Sequence, residues 1–209
     1  MFYGSTTMGA LQKGNPNLRP EIVQSYEATW DTALDSQWKA KAGVFHYRIR
    51  DLIGQQLDPV DNLWVFRNVG RVRTNGAELG LEGAWRNGIR MRSSLTYQDA
   101  RETDTDEWLV NSPRLLAKVG LSGRLYGEWL AGAELQHIGK RRTMADETGS
   151  ATLANLTLSH RDLLPGLDVY LGFYNLFDKR YSAPADLVNV QDSLRQDGRM
   201  FRIKLDYRF

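Results

Sequence analysis

The sequence contains no cysteine among its 209 residues. This absence excludes disulfide bonds, thiolate metal sites and cysteine nucleophiles, but it leaves the cellular compartment open, because proteins of oxidising compartments can also lack cysteine. Long apolar runs are missing too, since no stretch approaches the roughly 20 apolar residues of a membrane helix. Neither charge dominates, with 27 Lys and Arg against 25 Asp and Glu, so nothing indicates nucleic acid as a partner.

Patterns of catalytic and metal-binding residues are missing as well. The histidines His46, His137 and His160 lie in different segments, without a partner at the spacing of metal ligands. No glycine-rich phosphate loop and no nucleophile elbow occurs. Residues 1–20 show no basic region followed by an apolar core, so they predict no signal peptide. We expect no enzymatic activity, no catalytic or metal-binding residue and no cofactor.

What the chain has instead is alternation of apolar and polar residues with a period of two, the pattern of a β-strand with two different faces. The last segment shows it best, because all its odd-numbered positions are apolar or aromatic. These positions are Phe201, Ile203, Leu205, Tyr207 and Phe209. Arg202, Lys204, Asp206 and Arg208 lie between them.

Segments bounded by Gly, Pro, Asn or Asp predict nine strands, mostly of ten residues or more. They are Ile22–Leu34, Trp38–Ile53, Trp64–Trp85, Ile89–Ala100, Ser112–Gly123, Gly127–Arg142, Ala151–His160, Gly166–Leu176 and Gly198–Phe209. The predicted connections are alternately short, as at Asn87-Gly88, and long. Outer-membrane barrels combine tight turns at one end with long loops at the other in this way.

Three tryptophans, Trp38, Trp85 and Trp129, lie beside predicted short turns, and Phe209 ends on the same side. We expect them to form an aromatic girdle at one membrane interface. The alternative is that large aromatic residues merely end buried strands.

The second strand fits the pattern least. We expect Phe45, Tyr47 and Ile49 to be its outward residues, although Lys39 and Lys41 then share their face. The lysines could extend to lipid head groups, or a bulge could change the register.

Three motifs in this order resemble the TonB-dependent receptors of the outer membrane. GNPNLRPE at 14–21 resembles the lead into a barrel strand. FHYRIRDLI at 45–53, followed by RNVGRVRTNGAELGLEG at 67–83, resembles the family's next hairpin. YNLFDKRYSAP at 174–184 resembles the penultimate strand and the start of the last external loop. The resemblance covers nearly the whole chain.

This resemblance implies an all-β fold, an antiparallel transmembrane β-barrel integral to the bacterial outer membrane. Residues 1–209 would be its C-terminal portion, with an external loop at 1–20 and nine or so strands at 21–209, out of about 22 strands. The plug and the first half of the barrel would be absent. Phe201, Ile203, Leu205, Tyr207 and Phe209 would form the signal that the barrel-assembly machinery recognises.

The implied function is TonB-energised uptake of a metal chelate, of the siderophore-iron, haem or cobalamin type. The implied partners are the chelate, the TonB complex through the missing N-terminal part, the barrel-assembly machinery, outer-membrane lipid and lipopolysaccharide. Ligand contacts are expected on external loops, at Trp108, Arg141, Arg142, Arg180, Tyr181 and Arg195. Arg141, Arg142 and Arg180 could equally bind lipopolysaccharide phosphates.

Other classes of protein remain open from the sequence. A passive porin-like channel would show a ring of like charges in its lumen, whereas the predicted inward residues have mixed signs. Those residues are Glu78, Glu82, Arg90, Arg92, Lys118, Arg202 and Lys204. A soluble β-sandwich binding module would be stable without detergent. An outer-membrane hydrolase would need a serine, a histidine and an acid at one rim.

Overall fold

The computed structural model describes residues 12–186 and 189–209, which form strands, turns and loops without any helix. Nine strands are long. They are β2 (Ile22–Ala33), β3 (Trp38–Leu57), β4 (Trp64–Ala84), β5 (Arg90–Glu102), β6 (Leu115–Tyr126), β7 (Trp129–Ile138), β10 (Ala151–Leu164), β11 (Leu167–Tyr174) and β14 (Met200–Tyr207). The short strands are β1 (Gln12–Lys13), β8 (Arg141–Arg142), β9 (Glu147–Thr148), β12 (Ser182–Pro184) and β13 (Ser193–Arg195).

The described residues include no helix that is long and apolar enough to cross a membrane.

The nine long strands form one antiparallel sheet in which each strand pairs with the previous long strand and the next. The predicted all-β antiparallel fold is thereby confirmed. The short β1 adds a parallel pair to β4, with Gln12 opposite Trp64 and Lys13 opposite Val65. Within the described residues β2 and β14 do not pair with each other, so both are edge strands, exposed on both faces.

Several predicted strand boundaries were wrong at the end of the sheet that carries the long loops. The third strand, β3, continues to Leu57 rather than ending at Ile53. The predicted strand 127–142 ends at Ile138 instead, just before Gly139, whose N–H still donates to the Leu115 carbonyl at 2.8 Å. Arg141–Arg142 then pair with β9 in a separate two-stranded ribbon.

Strand register divides the sheet into two faces. On one face an unbroken cross-strand row runs from Ala42 through Leu79 and Leu95 to Ala117. On the same face, in the last three long strands, Leu156 lies opposite Phe173, which lies opposite Phe201. We call this apolar side the convex face, since the opposite face lines a broad open cavity. Alternation places Phe201, Ile203, Leu205 and Tyr207 together on the convex face.

The face predicted for the second strand was wrong. Phe45 lies opposite Gly76, and Lys39 lies opposite Glu82, which places both on the concave, polar face. The convex residues of β3 in this part are Trp38, Ala40, Ala42 and Val44. Alanines are small and weakly hydrophobic, so the three large side chains at 45, 47 and 49 dominated the sequence pattern.

Turns with defined hydrogen bonds close the end of the sheet that we call the short-turn edge. The Gly88 N–H donates to the Trp85 carbonyl at 2.9 Å, and Gly88 has a φ of 84°, a value that favours glycine. The Asp35 carboxylate accepts from the Trp38 N–H at 2.8 Å in another turn. The hairpin predicted at Asn87-Gly88 is therefore present.

The three predicted girdle tryptophans all lie at the short-turn edge. Trp38 and Trp85 meet edge to face with ring centroids 5.1 Å apart, and Trp129 meets His160 in the same manner at 4.9 Å. Tyr207 and Phe209 form a third such pair at 5.2 Å. Their role at a membrane interface stays a prediction.

We predict that Gly76→Ala destabilises the barrel and that Gly80→Ala does not. A Cβ at Gly76 would lie 2.1 Å from Cζ of Phe45, whereas at Gly80 the nearest atom would be the Lys41 Cβ at 3.6 Å. Displacing the Phe45 ring should cost about 1–3 kcal/mol. The measurement is denaturant unfolding of the full-length protein in detergent. Equal stability of the two variants would contradict the packing of Phe45 over Gly76.

Candidate functional site

The long connections all lie at the end opposite the short turns, which we call the rim. They are residues 58–63, 103–114, 139–150 and 175–199. These loops carry exposed cations, Lys140, Arg180, Arg195 and Arg199. The rim is therefore the candidate site for contact with a soluble ligand.

Arginines of the sheet hold the loop at 103–114 in place. Arg71 pairs with Asp104 and Arg73 pairs with Asp106. Arg101 donates to the Asp106 carbonyl at 2.9 Å. Asp106 has a φ of 59°, so it bends the loop back over these cations. The Arg71 guanidinium also lowers the pKa of Asp104. Asp104 and Asp106 are thus structural partners of these arginines.

Two of the predicted ligand residues, Trp108 and Arg142, contact each other rather than facing a common space. Arg142 Nη1 donates to the Trp108 carbonyl at 3.0 Å, and its other terminal nitrogen pairs with Glu107. The Arg114 guanidinium lies 4.7 Å from the centre of the Trp108 ring. These contacts give both residues a role in positioning the loop.

Arg141 connects three loops of the rim. Its Nη2 donates to the Ser182 carbonyl at 3.1 Å and its Nη1 to Asn111 Oδ1 at 3.4 Å. Its buried Nε has no hydrogen-bond partner in the described part of the chain. Burial lowers the pKa of the Arg141 guanidinium, and the neighbouring Tyr181 opposes that effect. The structure thus brings Arg141 and Tyr181 together. Arg195 lies opposite Ser182 in the two-stranded ribbon of β12 and β13.

Arg180 differs from these residues because it is exposed and makes no hydrogen bond or ion pair with any described residue. Lys140, by contrast, pairs with Glu147 in the same ribbon as Arg141, and this pairing raises the pKa of Lys140. Of the predicted ligand residues, Arg180 and the exposed Arg195 remain the most available to an incoming anion.

A tie between two loops was not predicted from the sequence. The Thr143 hydroxyl donates to one oxygen of Asp192, and the Ala145 N–H donates to the other at 3.0 Å. Thr143 is 1 % exposed. The hydrogen bond from Thr143, followed by those from the backbone, lowers the pKa of Asp192. No sequence pattern indicates this contact, because the two residues lie 49 positions apart in irregular segments.

The residues before β2, Gln12–Pro20, form a strap across the rim end of β3 and β4. Asn15 donates to the Phe66 carbonyl at 2.9 Å, and the Arg19 N–H donates to Asn68 Oδ1 at the same distance. Arg19 also pairs with Asp51 at 2.6 Å. Side chains of the GNPNLRPE motif therefore bind the irregular part of the β3–β4 ladder, where its register shifts.

Lys13 anchors the strap at its other end. It lies 2.7 Å from both Asp58 and Asp61, and Arg67 lies 2.7 Å from Asp58 as well. Asp58 is only 7 % exposed. The hydrogen bond from Lys13, assisted by the Val60 N–H, lowers the pKa of Asp58 to about 2. Asp58 therefore stays charged down to strongly acidic pH.

The concave face lines an open cavity of about 1220 Å³. Its charges are of both signs and form pairs between neighbouring strands. Lys118 and Glu134 are 2.7 Å apart, and Arg92 and Glu82 are 3.5 Å apart. Farther up the wall, Lys41 and Glu78 are 3.3 Å apart. The described residues contain no group of three or more metal-ligating side chains.

Comparison with known proteins identifies the family. The family model described as TonB dependent receptor-like, beta-barrel, matches residues 2–176. The chain belongs to the TonB-dependent receptor family. It is therefore part of a protein integral to the outer membrane. Membership of a receptor family confirms the prediction that the protein is not an enzyme.

Solved structures of similar fold include three transporters or receptors. The copper transporter OprC has a TM-score of 0.74 at 20% identity, with 93% of this chain and 33% of that one covered. The FrpB iron transporter of Neisseria meningitidis has a TM-score of 0.73 at 16% identity, with 96% and 33% covered. The ferric yersiniabactin uptake receptor FyuA of Yersinia pestis has a TM-score of 0.74 at 17% identity, with 90% and 30% covered.

This chain thus spans about a third of the length of the proteins in these structures. No curated protein sequence matches it. At these identities the solved structures show a common fold.

We predict that acid releases the strap. The folded pKa of Asp58 lies below that of an unfolded aspartate, about 3.9, so its contribution to stability is present above that value and is lost as the pH falls toward 2. A spin label at Asn17→Cys in the full-length receptor should become mobile over this range. With Asp58→Asn it should be mobile already at pH 7.

The matched control for the strap is Asp61→Asn, because Asp61 contacts the same lysine but its side chain is 38% exposed. This variant should hold the label nearly as well as the unchanged protein. A label whose mobility does not respond to Asp58→Asn would show that Lys13 does not anchor the strap.

We predict that Asp192→Asn loosens the contact between the loops at 139–150 and 175–199. The neutral amide replaces one of the two carboxylate oxygens that accept from the Thr143 hydroxyl and the Ala145 N–H, and it removes the negative charge. Protease cleavage within these loops on intact cells should become roughly tenfold faster. Asp146→Asn is the control, since that carboxylate is exposed in the same loop. Equal cleavage rates in both variants would refute the tie.

Proposed function

We propose that the full-length protein is an outer-membrane receptor for TonB-energised uptake of a metal chelate, as part of bacterial metal acquisition. The observation that carries the proposal is the concave wall, whose mixed charges are paired along the sheet, in a chain of the TonB-dependent receptor family. A wall with paired charges suits hydrogen bonding to a protein plug. A selective ring of one sign would suit a passive pore instead.

The class of cargo is argued from the rim. Arg180 and Arg195 present exposed guanidinium groups, and Arg141 keeps a buried Nε without a partner in the described residues. Guanidinium groups bind carboxylates and other oxyanions in two-bond forks, so these residues favour an anionic chelate. Named structural relatives carry copper, iron or ferric yersiniabactin, which supports a metal cargo without selecting one.

The chain would contribute the outer wall and external loops of that receptor. Energy coupling through the TonB complex would need a plug from the remainder of the protein, and insertion would use the barrel-assembly machinery. For the latter we propose Phe201, Ile203, Leu205, Tyr207 and Phe209 as the recognised residues. All but Phe209 lie on the edge strand β14, whose inner edge pairs with β11 and whose outer edge has no partner in the described sheet, which is where another strand-forming protein can bind.

The experiment that tests the function uses the full-length gene in a bacterial strain lacking its own metal receptors. Growth under iron or copper limitation is measured with individual ferric siderophores, haem, cobalamin and copper salts, with and without TonB. TonB-dependent growth on one of them supports the proposal. Uptake that is independent of TonB and proportional to concentration would favour a porin-like channel, and no uptake of any cargo would overturn the proposal.

We predict that Arg180→Ala lowers the affinity for an anionic chelate by roughly three- to tenfold. Because Arg180 has no partner among the described residues, its removal leaves the loop contacts intact. The measurement is binding of the radiolabelled chelate to whole cells. The control Arg86→Ala removes the same charge at the short-turn edge and should bind normally. Unchanged binding to Arg180→Ala would remove this residue from the ligand site.

A further inference from the structure

A row of arginines lies on the convex face, near the rim. Register places Arg48 on β3, Arg73 on β4 and Arg101 on β5 directly opposite one another. Arg50 and Arg71 lie two residues nearer the rim on the same two strands, so alternation gives them the same face. Like charges directly opposite in a sheet repel each other, and a row of this kind needs anions around it.

The protein supplies anions for only part of this row. Arg71 pairs with Asp104 and Arg73 with Asp106 of the loop above them. Arg101 pairs with Asp99 of its own strand at 2.8 Å and with Asp106 at 3.4 Å. Arg48 and Arg50 are exposed and have no carboxylate partner among the residues that the structure describes. Two guanidinium charges on the outer surface of the barrel are therefore uncompensated.

Arg48 is nevertheless held in a defined position. Its Nε donates to His46 Nε2 at 2.9 Å, and His46 Nδ1 lies 2.6 Å from Asn75 Oδ1. Since the amide oxygen only accepts, His46 Nδ1 carries the proton, and Nε2 is free to accept from Arg48. The contacts use only the Nε of Arg48 and leave its two terminal nitrogens available.

Arg50 lines a shallow recess of about 390 Å³. Arg71, Asn68, Val69 and Gly70 also line it, together with Asp51, whose carboxylate pairs with Arg19 at 2.6 Å. Two guanidinium groups thus flank a space large enough for a phosphate group, and only one of them has a carboxylate partner in the described chain.

The height of the row matches the head groups of the outer leaflet. Arg48 follows Trp38 by ten residues, which is about 33 Å along a strand and about 25 Å along the membrane normal at a tilt near 40°. That is the height of the apolar band of an outer-membrane barrel. Tyr26, opposite His46, lies just below Arg48, as an aromatic residue at the upper interface would.

We propose that Arg48 and Arg50, with Arg71, form a binding site for a phosphorylated lipid head group of the outer leaflet, the phosphates of the lipid anchor of lipopolysaccharide. Guanidinium forks fit phosphate oxygens. Below the row the convex face has one polar level, His46, Asn75 and Asp99, and then apolar residues such as Val44 and Ala77. These apolar residues would contact the acyl chains, so a lipid gains contacts that free phosphate does not. The site lies outside the barrel and is independent of the cargo.

The test is native mass spectrometry of the full-length receptor in detergent, titrated with bisphosphorylated lipid A. At about fivefold for each cation removed near a charged lipid surface, Arg48→Gln with Arg50→Gln should weaken binding roughly twenty- to thirtyfold. The control pair Arg86→Gln with Arg124→Gln removes the same charge at the short-turn edge and should bind normally. Arg48→Lys with Arg50→Lys should retain most of the binding.

Three results would overturn the proposal. One is binding of lipid A to the Arg48→Gln, Arg50→Gln variant as tight as to the unchanged receptor. Another is equally tight binding of lipid A from which both phosphates have been removed. The third is displacement of lipid A by inorganic phosphate at the same concentration, which would show a site for the free anion.

Discussion

Within a lipid bilayer every backbone N–H and C=O must be hydrogen-bonded inside the protein, since each unpaired group costs several kcal/mol. The nine-stranded antiparallel sheet meets this requirement everywhere except along β2 and β14, whose outer edges lack partners in the described residues. Both faces of β2 and β14 are exposed because each strand has a neighbouring strand on one side only. The sheet is a wall whose stability in a membrane depends on what pairs with its two edges.

The same ladder gives each side chain its environment. Because cross-strand partners share a face, one register places Leu79, Leu95 and Ala117 on the convex face and Glu78, Arg92 and Lys118 on the concave face. A slip of one residue would exchange the two sets. At the rim the ladder ends, and ion pairs and loop ties such as that between Thr143 and Asp192 take over the positioning of the chain.

Periodicity was sufficient to predict the all-β fold and the faces of the strands rich in large apolar residues, such as β14. It failed for β3, because the outward alanines gave a weaker pattern than the inward Phe45, Tyr47 and Ile49. At the rim the sequence located cationic and aromatic residues but not their partners. Arg142 belongs with Glu107, 35 positions away, and no local pattern encodes a contact between two irregular loops.

An odd number of long strands has a consequence for the direction of the chain. β2 and β14 both run from the rim to the short-turn edge, so the two edge strands have the same direction. Antiparallel closure therefore requires an odd number of added strands whose first and last members run upward, toward the rim. A second copy inserted in the same orientation has the odd count but the wrong polarity, so the wall cannot close by pairing with itself through antiparallel bonds alone.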